Sequence, residues 1–410
     1  MKMEEQRSTP VAGQARRGPL SGLLVADFSR VLAGPYATMT LADLGATVVK
    51  VERPGSGDES RAWGPPFVDE DSTYYVSVNR NKHGVALDLR DEDDHARAKA
   101  LALAADVVIE NFRPGTMERL GLGYETLRAE NPRLVYCAIS GFGRGAGAEL
   151  AGYDFLIQAV GGLMSITGQP DGEPTKAGVA LVDVIAGLFA TIGMLAALRE
   201  RDESGLGQRV DVNLLSSLLA VLVNQASGYL ATGISPQRMG NRHPSVAPYA
   251  LYATADGAIV LAVGNQRQFE TLCRTIAAEE LLEDERFATN AGRVEHGAAL
   301  RDALEASLRR RPADAWITDL HAVGVPCGKV NDLGEAFAFA ERLGLAPSVA
   351  VPRADGAAAR VVANPLGLSR TPPRYELPPP RLGEHTELLE ALLAAHAARN
   401  GAPYPLEDIQ

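Results

Sequence analysis

The fold is decided by the stretch VADFSRVLAGPYATMTLADLGATVVKVE, residues 25–52. It opens with a short apolar run that is typical of a β-strand. The segment YATMTLADLGA that follows favours a helix, and TVVKVE is again a strand of nearly continuous apolar character. Strand, helix and strand in this order predict a βαβ unit, and the continuous apolar strands predict a parallel sheet covered on both faces.

The same alternation continues outward from this stretch to about residue 150. Three more segments favour strands, and two segments between the later ones favour helices. In parallel sheets of this kind, ligands bind at the carboxyl ends of the strands. We therefore expect an α/β domain with a ligand site at that edge. The segments are GVALDL (84–89), DDHARAKALALAA (93–105), DVVIENF (106–112), MERLGLGYETLRAEN (117–131) and RLVYCAISG (133–141).

A change of composition marks a second domain. The loop ISPQRMGNRHPSVAP (234–248) is rich in Pro and basic residues, and YALYATADGAIVLAVG (249–264) has the alternation and the Asp-Gly turn of a β-hairpin. Long helical segments follow. We predict a disordered tail at 1–19, a large domain at 20–225, a small α+β domain at 226–335, and a segment at 336–410 that returns to the large domain.

Composition excludes several classes of function. The 410 residues carry a net charge of −11, which disfavours binding to nucleic acid or to an anionic membrane. Three cysteines without CxxC spacing indicate neither a zinc site nor a disulfide framework, and no metal site is expected. Residues 1–20 lack the apolar core of a signal peptide, so we expect a cytoplasmic protein. The apolar segment 179–198 is interpreted as a buried core helix, not a membrane span.

The loop after the first strand argues against a dinucleotide site. Its sequence SRVLAGP lacks the GxGxxG pattern that lets the backbone approach a pyrophosphate. Cations nevertheless follow several predicted strands, and together they would suit a polyanionic ligand. The alternative is that most of them are ordinary surface charges. These cations are Arg30, Arg53, Arg61, Arg80, Lys82 and Arg119.

One carboxylate stands out in KAGVALVDVIAGLFATIGMLAALRE, residues 176–200. Asp183 is the only charged residue between Val179 and Leu198. An Asp at the start of a helix can cap the first backbone N–H groups, a role worth about 1 kcal/mol. It can also be a reactive group that apolar neighbours shield from water. The residues alone leave both readings open.

Several motifs resemble those of class III CoA-transferases, the family of the formyl-CoA, carnitine and bile-acid CoA transferases that also includes α-methylacyl-CoA racemases. The motifs occur in the family's order and extend over about residues 20–390. The resemblance implies a Rossmann-like large domain and two ring-like chains interlocked in a homodimer. The motifs are DFSRVLAGPYATMTLADLGATVVKVERPGSGDESRAWGPP, NRNKHGVALDL, ADVVIENFRPGTMERLGLGYETL, AGYDFLIQAVGGLMSITG, GVPCGKVNDL and LGEHT.

The resemblance also implies roles for individual residues. Asp183 matches the family's catalytic aspartate. Tyr153 matches a tyrosine near the reacting acyl group, with a packed core tyrosine as the alternative. Arg242 and His243, in a loop where formyl enzymes have a glycine-rich flap, are our candidates for holding the distal carboxylate of a substrate, although they could equally belong to a basic surface loop. Positions that match the CoA site are Arg30, Val31, Leu32, Ala33, Arg53, Asn111, Phe112 and Arg119.

The implied enzyme is a CoA-transferase that acts on acyl-CoA thioesters and small carboxylic acids, without a tightly bound cofactor. Leu32 replaces the glutamine of formyl enzymes and favours a larger, less polar acyl group. Other segments are most similar to members that move CoA from succinyl-CoA to glutarate.

The alternative is racemisation of an α-methylacyl-CoA. Racemases of the family read GHDINY where this chain reads GYDFLI, so Tyr153 stands at the histidine's position and is a poor base at pH 7.

Overall fold

A six-stranded parallel sheet forms the centre of the structure, a computed structural model that describes residues 18–68, 70–352 and 358–399. Its strand order is β3-β2-β1-β4-β5-β6, and every neighbouring pair is parallel. This confirms the predicted α/β class, and the order is that of the doubly wound dinucleotide-binding folds. The strands are β1 (Leu24–Asp27), β2 (Thr47–Glu52), β3 (Lys82–Ala86), β4 (Val107–Glu110), β5 (Val135–Ser140) and β6 (Arg209–Asn213).

The two faces of the sheet follow from the alternation of side chains along β1. Ala26 belongs to a buried cluster with Ala98 and Leu101 of the Glu92–Ala104 helix. Asp27 points the other way and accepts a hydrogen bond from Thr38 of the Ala33–Asp43 helix at 2.6 Å. Because both faces are covered, most positions in β1, β2, β4 and β5 are apolar, which is why the sequence pattern was easy to recognise.

By their internal contacts, the described residues fall into two units. The first contains the parallel sheet and comprises residues up to 161, 178–223 and from 346 onward. A short antiparallel hairpin that the sequence analysis did not predict joins Ser348–Pro352 to Ala358–Val362. The helical segments of this unit are Ala33–Asp43, Glu59–Ala62 (3-10), Thr73–Ser77, Glu92–Ala104, Thr116–Arg119, Tyr124–Glu130, Asp154–Val160, Leu181–Ser204, Leu214–Val221, Thr386–Leu388 (3-10) and Leu389–Arg399, beside the strands Phe67–Val68 and Asp71–Ser72.

One predicted helix of the first unit is broken in the structure. The segment 117–131 forms two helices, Thr116–Arg119 and Tyr124–Glu130, with Gly121 between them at φ 68°. A left-handed backbone of this kind is open to glycine at little cost and cannot continue a helix. The prediction of helix is therefore correct on both sides of Gly121, but the sequence pattern did not predict the turn between the two helices.

The second unit comprises residues 162–177 and 224–345. Its antiparallel sheet contains the predicted hairpin, Tyr249–Ala253 with Ala258–Ala262, and the short strand Cys327–Gly328. The predicted domain boundaries stay a prediction, and residues 1–17 of the predicted tail lie outside the described residues. The helical segments of the region are Leu163–Ile166, Val223–Thr232, Gln266–Thr275, Glu279–Leu282 (3-10), Glu285–Phe287 (3-10), Asn290–Glu295, Gly297–Leu308, Ala313–Ala322 and Leu333–Arg342.

The Leu181–Ser204 helix is long and apolar enough to cross a membrane, with a mean hydropathy of 2.2 over its most apolar window, of which 44% is buried. Core helices pass the same test. Gly187 packs so closely on the Ala33–Asp43 helix that an added Cβ would lie 2.6 Å from the backbone oxygen of Ala33. The buried side of the helix thus packs as a core helix, while Leu188 and Ile192 on its other side are exposed.

Candidate active site

A cleft lies at the carboxyl ends of the central strands, where the direction of winding changes between β1 and β4. At such a point the loops after the two strands diverge and leave a crevice, which is the usual ligand site of doubly wound sheets. Residues 30–33 after β1 and 111–114 after β4 line this cleft, together with residues after β5. The cleft also contains Asp183 and Tyr153. Its position agrees with the edge predicted from the strand pattern.

Asp183 reaches this cleft from the first turn of an apolar helix. The helix begins at Leu181 and its N-cap residue is Ala180, so Asp183 is the third helical residue. The backbone N–H groups of Val182 and Asp183 donate to Oδ1 of Asp154, at 2.7 and 3.4 Å. Asp154 therefore caps this helix from a distant part of the chain. The reading of Asp183 as the cap itself is wrong, and its carboxylate is left to face the cleft.

The surroundings of Asp183 oppose its ionisation. Burial raises the pKa of the carboxyl, and the nearby charge of Asp154 raises it further, to about 7. Asp154 also occupies the backbone N–H groups of Val182 and Asp183, which are then not free to stabilise a negative charge on Asp183. Near neutral pH, Asp183 is divided between a protonated form and a poorly solvated carboxylate.

The loop after β1 forms the wall of the cleft and is held by Asn111. The backbone N–H of Arg30 donates to Oδ1 of Asn111 at 2.9 Å, and Nδ2 of Asn111 donates to the carbonyl oxygen of Arg30 at 2.7 Å. The Arg30 guanidinium lies 5.4 Å from the centre of the Phe112 ring and bonds Glu59 at 2.9 Å. Loops from two neighbouring strands are thus tied together at the cleft.

A second cleft adjoins the first and is rich in arginine. The two share Arg30, Glu59 and Phe112 as lining residues. The second also contains Arg53 and Arg119, together with Arg90, which the sequence analysis did not single out. Its cations suit phosphate groups at the far end of an elongated ligand whose other end reaches Asp183.

Comparison with known proteins assigns the family. Residues 20–386 match the family model "CoA-transferase family III". The chain belongs to CoA-transferase family III. It is 43% identical over 377 residues to the succinate–glutarate CoA-transferase of Agrobacterium fabrum, covering 90% of this chain and 94% of that protein. The acetyl-CoA:oxalate CoA-transferase of Acetobacter aceti is 44% identical over 322 residues, covering 78% of this chain and 82% of that protein.

Solved structures agree with this family. A CaiB/BaiF family protein from Brucella suis aligns with a TM-score of 0.82 at 42% identity, covering 92% of this chain and all of that one (100%). Rv3272 from Mycobacterium tuberculosis aligns with a TM-score of 0.81 at 32% identity, covering 92% and 99%. The predicted family is therefore confirmed, and the relatives from Agrobacterium fabrum and Acetobacter aceti are named CoA-transferases.

The structure brings most of the predicted site residues of this CoA-transferase together. One cleft holds Arg30, Val31, Leu32, Ala33, Asn111, Phe112, Tyr153 and Asp183, and the adjoining one holds Arg53 and Arg119. The Tyr153 side chain is 58% exposed, so the alternative of a packed core tyrosine is wrong. The roles of these residues stay predictions.

Three of the candidate phosphate-binding cations are instead buried in ion pairs. Nη2 of Arg61 lies 2.7 Å from Glu52, Nη2 of Arg80 lies 2.6 Å from Asp43, and Nζ of Lys82 lies 3.2 Å from Asp27. The prediction that these cations converge on a ligand is wrong, because each one neutralises a carboxylate inside the first unit.

Arg242 and His243 belong to the second unit. The Arg242 side chain is exposed. Nδ1 of His243 accepts a hydrogen bond from the backbone N–H of Ser245 at 3.0 Å, and the ring lies 5.2 Å from that of Tyr249. Their proposed role in substrate binding stays a prediction.

Sequence reasoning missed Tyr74, which lies near the candidate nucleophile. Burial raises the pKa of the Tyr74 phenol to about 12, with further contributions from the charges of Asp183 and Asp154. Its ring also packs edge-on to Trp63 at 5.2 Å. No sequence signal separates Tyr74 from its fully buried neighbour Tyr75. Among the described residues, no group of three His, Cys, Asp or Glu is arranged to hold a metal ion.

Proposed function

We propose that this CoA-transferase moves CoA from succinyl-CoA to a dicarboxylic acid such as glutarate, with Asp183 as the nucleophile. The observation that carries the proposal is the position of Asp183: a carboxylate in the first turn of an apolar helix that faces a cleft at the switch point of the sheet. Its raised pKa marks a group that is weakly solvated and therefore reactive as an anion.

The reaction proceeds through two kinds of covalent intermediate. An Asp183 oxygen attacks the thioester carbonyl carbon, the C–S bond breaks, and CoA leaves as the thiolate. The thiolate then attacks the Asp183 carbonyl of the mixed anhydride, which releases the donor acid as a carboxylate and leaves an aspartyl-CoA thioester. The acceptor carboxylate attacks this thioester, whose C–S bond breaks to release the CoA thiolate and leave a second mixed anhydride. The thiolate then attacks the acceptor carbonyl of this anhydride, and the Asp183 carboxylate leaves. The new acyl-CoA departs and Asp183 is regenerated, so the covalent carboxylate divides one difficult exchange into easier steps.

The two adjoining clefts, which share Arg30, Glu59 and Phe112, would hold the two ends of a CoA thioester. The reacting end would lie against residues 30–33 and Tyr153, beside Asp183. Arg53 and Arg119 would contact phosphate groups in the second cleft, where Nη2 of Arg119 bonds Thr116 at 3.0 Å. Arginine is well suited to this task because its planar group can bond two phosphate oxygens at once.

The proposed donor and acceptor acids are inferred from the names of relatives and from the loop that contains Arg242 and His243. The human relative that is 40% identical, over 90% of this chain and 84% of that protein, is named succinyl-CoA:glutarate CoA-transferase. The Acetobacter aceti relative has similar sequence identity but is named for a different donor and acceptor, acetyl-CoA and oxalate. Sequence identity alone therefore does not determine the donor and acceptor acids. We propose that Arg242 and His243 hold the distal carboxylate of a dicarboxylate, because the positive charge of Arg242 would favour a dicarboxylate over a monocarboxylate.

We also propose that the enzyme works as an interlocked homodimer. Five large apolar side chains on two helices are exposed in the single chain: Phe155, Val160, Leu188, Phe189 and Ile192. Large apolar side chains left exposed in this way support burial at a subunit interface. Light scattering should give twice the mass of the chain. The expected cytoplasmic location stays a prediction.

An acceptor screen tests the proposed function. The protein is mixed with succinyl-CoA and a panel of mono- and dicarboxylic acids, and new CoA thioesters are identified by mass spectrometry. We expect glutaryl-CoA or a related dicarboxylyl-CoA, which disappears with Asp183→Ala. Exchange of α-deuterium without acyl transfer would instead support the racemase alternative and contradict the proposal.

A further inference from the structure

A buried ion pair lies behind the loop that forms the cleft wall. Nζ of Lys50, on β2, is 3.0 Å from Oδ2 of Asp58, and both side chains are 0% exposed. Neither residue lines the cleft that contains Asp183, although both line the adjoining arginine-rich cleft. Burial alone would raise the pKa of Asp58, but Lys50 and hydrogen bonds from Ser60 lower it to about 2, so the pair is ionised at neutral pH. Buried charges are expensive to desolvate and therefore call for an explanation.

Both members of the pair hold the backbone of the cleft loop. Nζ of Lys50 donates to the carbonyl oxygen of Ser29 at 2.9 Å. The Asp58 carboxylate accepts the backbone N–H of Val31, at 3.2 and 3.1 Å from its two oxygens. Asn111 binds the residue between them through both of its backbone polar groups. Three consecutive residues of the loop are thus fixed from behind by side chains of other segments.

The held backbone is strained. Val31 has φ 68°, in the left-handed region. A β-branched residue is an outlier there, and such conformations persist only where surrounding contacts enforce them. Glycine would adopt the same backbone at almost no cost. The turn at Val31 directs the chain into Leu32 and the Ala33–Asp43 helix, whose first residues line the cleft beside Asp183.

We propose that Lys50 and Asp58 are positioning residues for CoA transfer. They hold the turn at Val31 in its left-handed conformation, and so fix residues 30–33 at the distance from Asp183 that the reacting thioester requires. This inference rests on the proposed function of the same cleft. Both side chains are fully buried in the ion pair and act on the reacting centre through the loop.

The first test is Asp58→Asn, assayed with succinyl-CoA and glutarate. We expect kcat to fall about 10–100-fold, because small misplacements at a reaction centre cost this much, with a much smaller change in KM. Adding Val31→Gly should restore at least several-fold of the loss, because glycine takes the turn without being held. A kcat within about 2-fold of wild type, or no rescue by Val31→Gly, would overturn the proposal.

A matched control separates positioning from general stability. Asp43 is also buried and ion-paired, with Arg80, in the same unit but outside both clefts. Asp43→Asn should lower the melting temperature as Asp58→Asn does, while kcat stays near wild type. Equal losses of kcat in the two variants would show that only stability is involved and would refute positioning.

Two further measurements keep the test decisive. If Asp58→Asn does not fold, Lys50→Met with Asp58→Leu takes its place, because apolar residues often replace a buried pair without loss of stability. Wild-type kcat in that folded variant would overturn the proposal. Hydrogen exchange at residues 29–33 needs no turnover: it should rise in the Asp58 variants and not in Asp43→Asn. If the wild-type protein does not transfer CoA, only the proposed function is refuted. If hydrogen exchange at residues 29–33 is unchanged in the Asp58 variants, the positioning role of Lys50 and Asp58 is refuted.

Discussion

Replacing Asp183 by asparagine should stabilise the protein, and the gain should grow with pH. The pKa of Asp183 is raised from 3.8 to about 7 in the folded protein, so the native state holds a proton that the unfolded chain has lost. Between these two pKa values the native state binds more protons, and wild-type stability therefore falls as pH rises. The asparagine side chain does not ionise, so the variant does not lose stability in this way as pH rises.

The magnitude follows from the two pKa values. At 1.36 kcal/mol per pKa unit, the difference in free energy of unfolding between the asparagine variant and wild type should grow by about 3 kcal/mol from pH 5 to pH 8. Because the carboxyl is partly exposed and therefore screened by solvent, we expect a growth of about 1–3 kcal/mol. If all 410 residues unfold together, this corresponds to a growth of about 1–3 °C in the melting-temperature difference.

Calorimetry at pH 5 and pH 8, at equal ionic strength, measures this difference directly. Asp202→Asn, at an exposed carboxylate on the same helix, controls for the loss of one negative charge. A melting-temperature difference that is equal at the two pH values, or that shrinks toward pH 8, would show that folded Asp183 is already ionised at pH 5. The reasoning about its environment would then be refuted.

Three other outcomes are expected. The kcat/KM for succinyl-CoA should rise with pH to a plateau, with its midpoint near the pKa of about 7 for Asp183, and Asp154→Asn should move this midpoint to lower pH by removing the neighbouring charge. Arg53→Ala should raise the KM for acyl-CoA about 5-fold, as expected for one partly solvated phosphate contact, and leave kcat nearly unchanged. Arg242→Ala should raise the KM for glutarate several-fold but not that for a monocarboxylic acid.

Each of these outcomes has a control and a contradicting result. Arg128→Ala and Arg267→Ala remove exposed arginines outside the two clefts, in the first and second units, and should leave both KM values unchanged. A pH midpoint that stays in place in Asp154→Asn would mean that Asp154 does not influence the nucleophile. Equal effects of Arg242→Ala on mono- and dicarboxylates would remove this loop from substrate selection.

The sequence predicted the sheet because its strands are buried on both faces. A run such as TVVKVE is apolar at nearly every position, so its signal does not depend on knowing which side faces the core. Asp183 was found for a related reason: one charge among apolar residues is conspicuous in any sequence. The position of the cleft then followed from the rule that parallel sheets bind ligands at their carboxyl edge.

The remaining features depend on contacts between residues far apart in the chain. The cap of the Leu181–Ser204 helix comes from Asp154, which is 28 residues from Val182. Arg80 looks like a surface cation in sequence but pairs with Asp43, 37 residues away. The strain at Val31 is equally invisible, because nothing in the local sequence calls for a left-handed turn. The sequence patterns thus could not predict which charges and backbone groups pair over long distances in the chain.

The most direct test of the central claim is to trap the covalent intermediate on Asp183. The protein is incubated with succinyl-CoA in the absence of an acceptor, treated with hydroxylamine, digested and analysed by mass spectrometry. We predict a hydroxamate at Asp183 in the wild-type protein, formed from the anhydride or thioester, and none in Asp183→Asn. Transfer of CoA by wild-type protein with no modified Asp183, or transfer by the Asp183→Asn variant, would contradict the account.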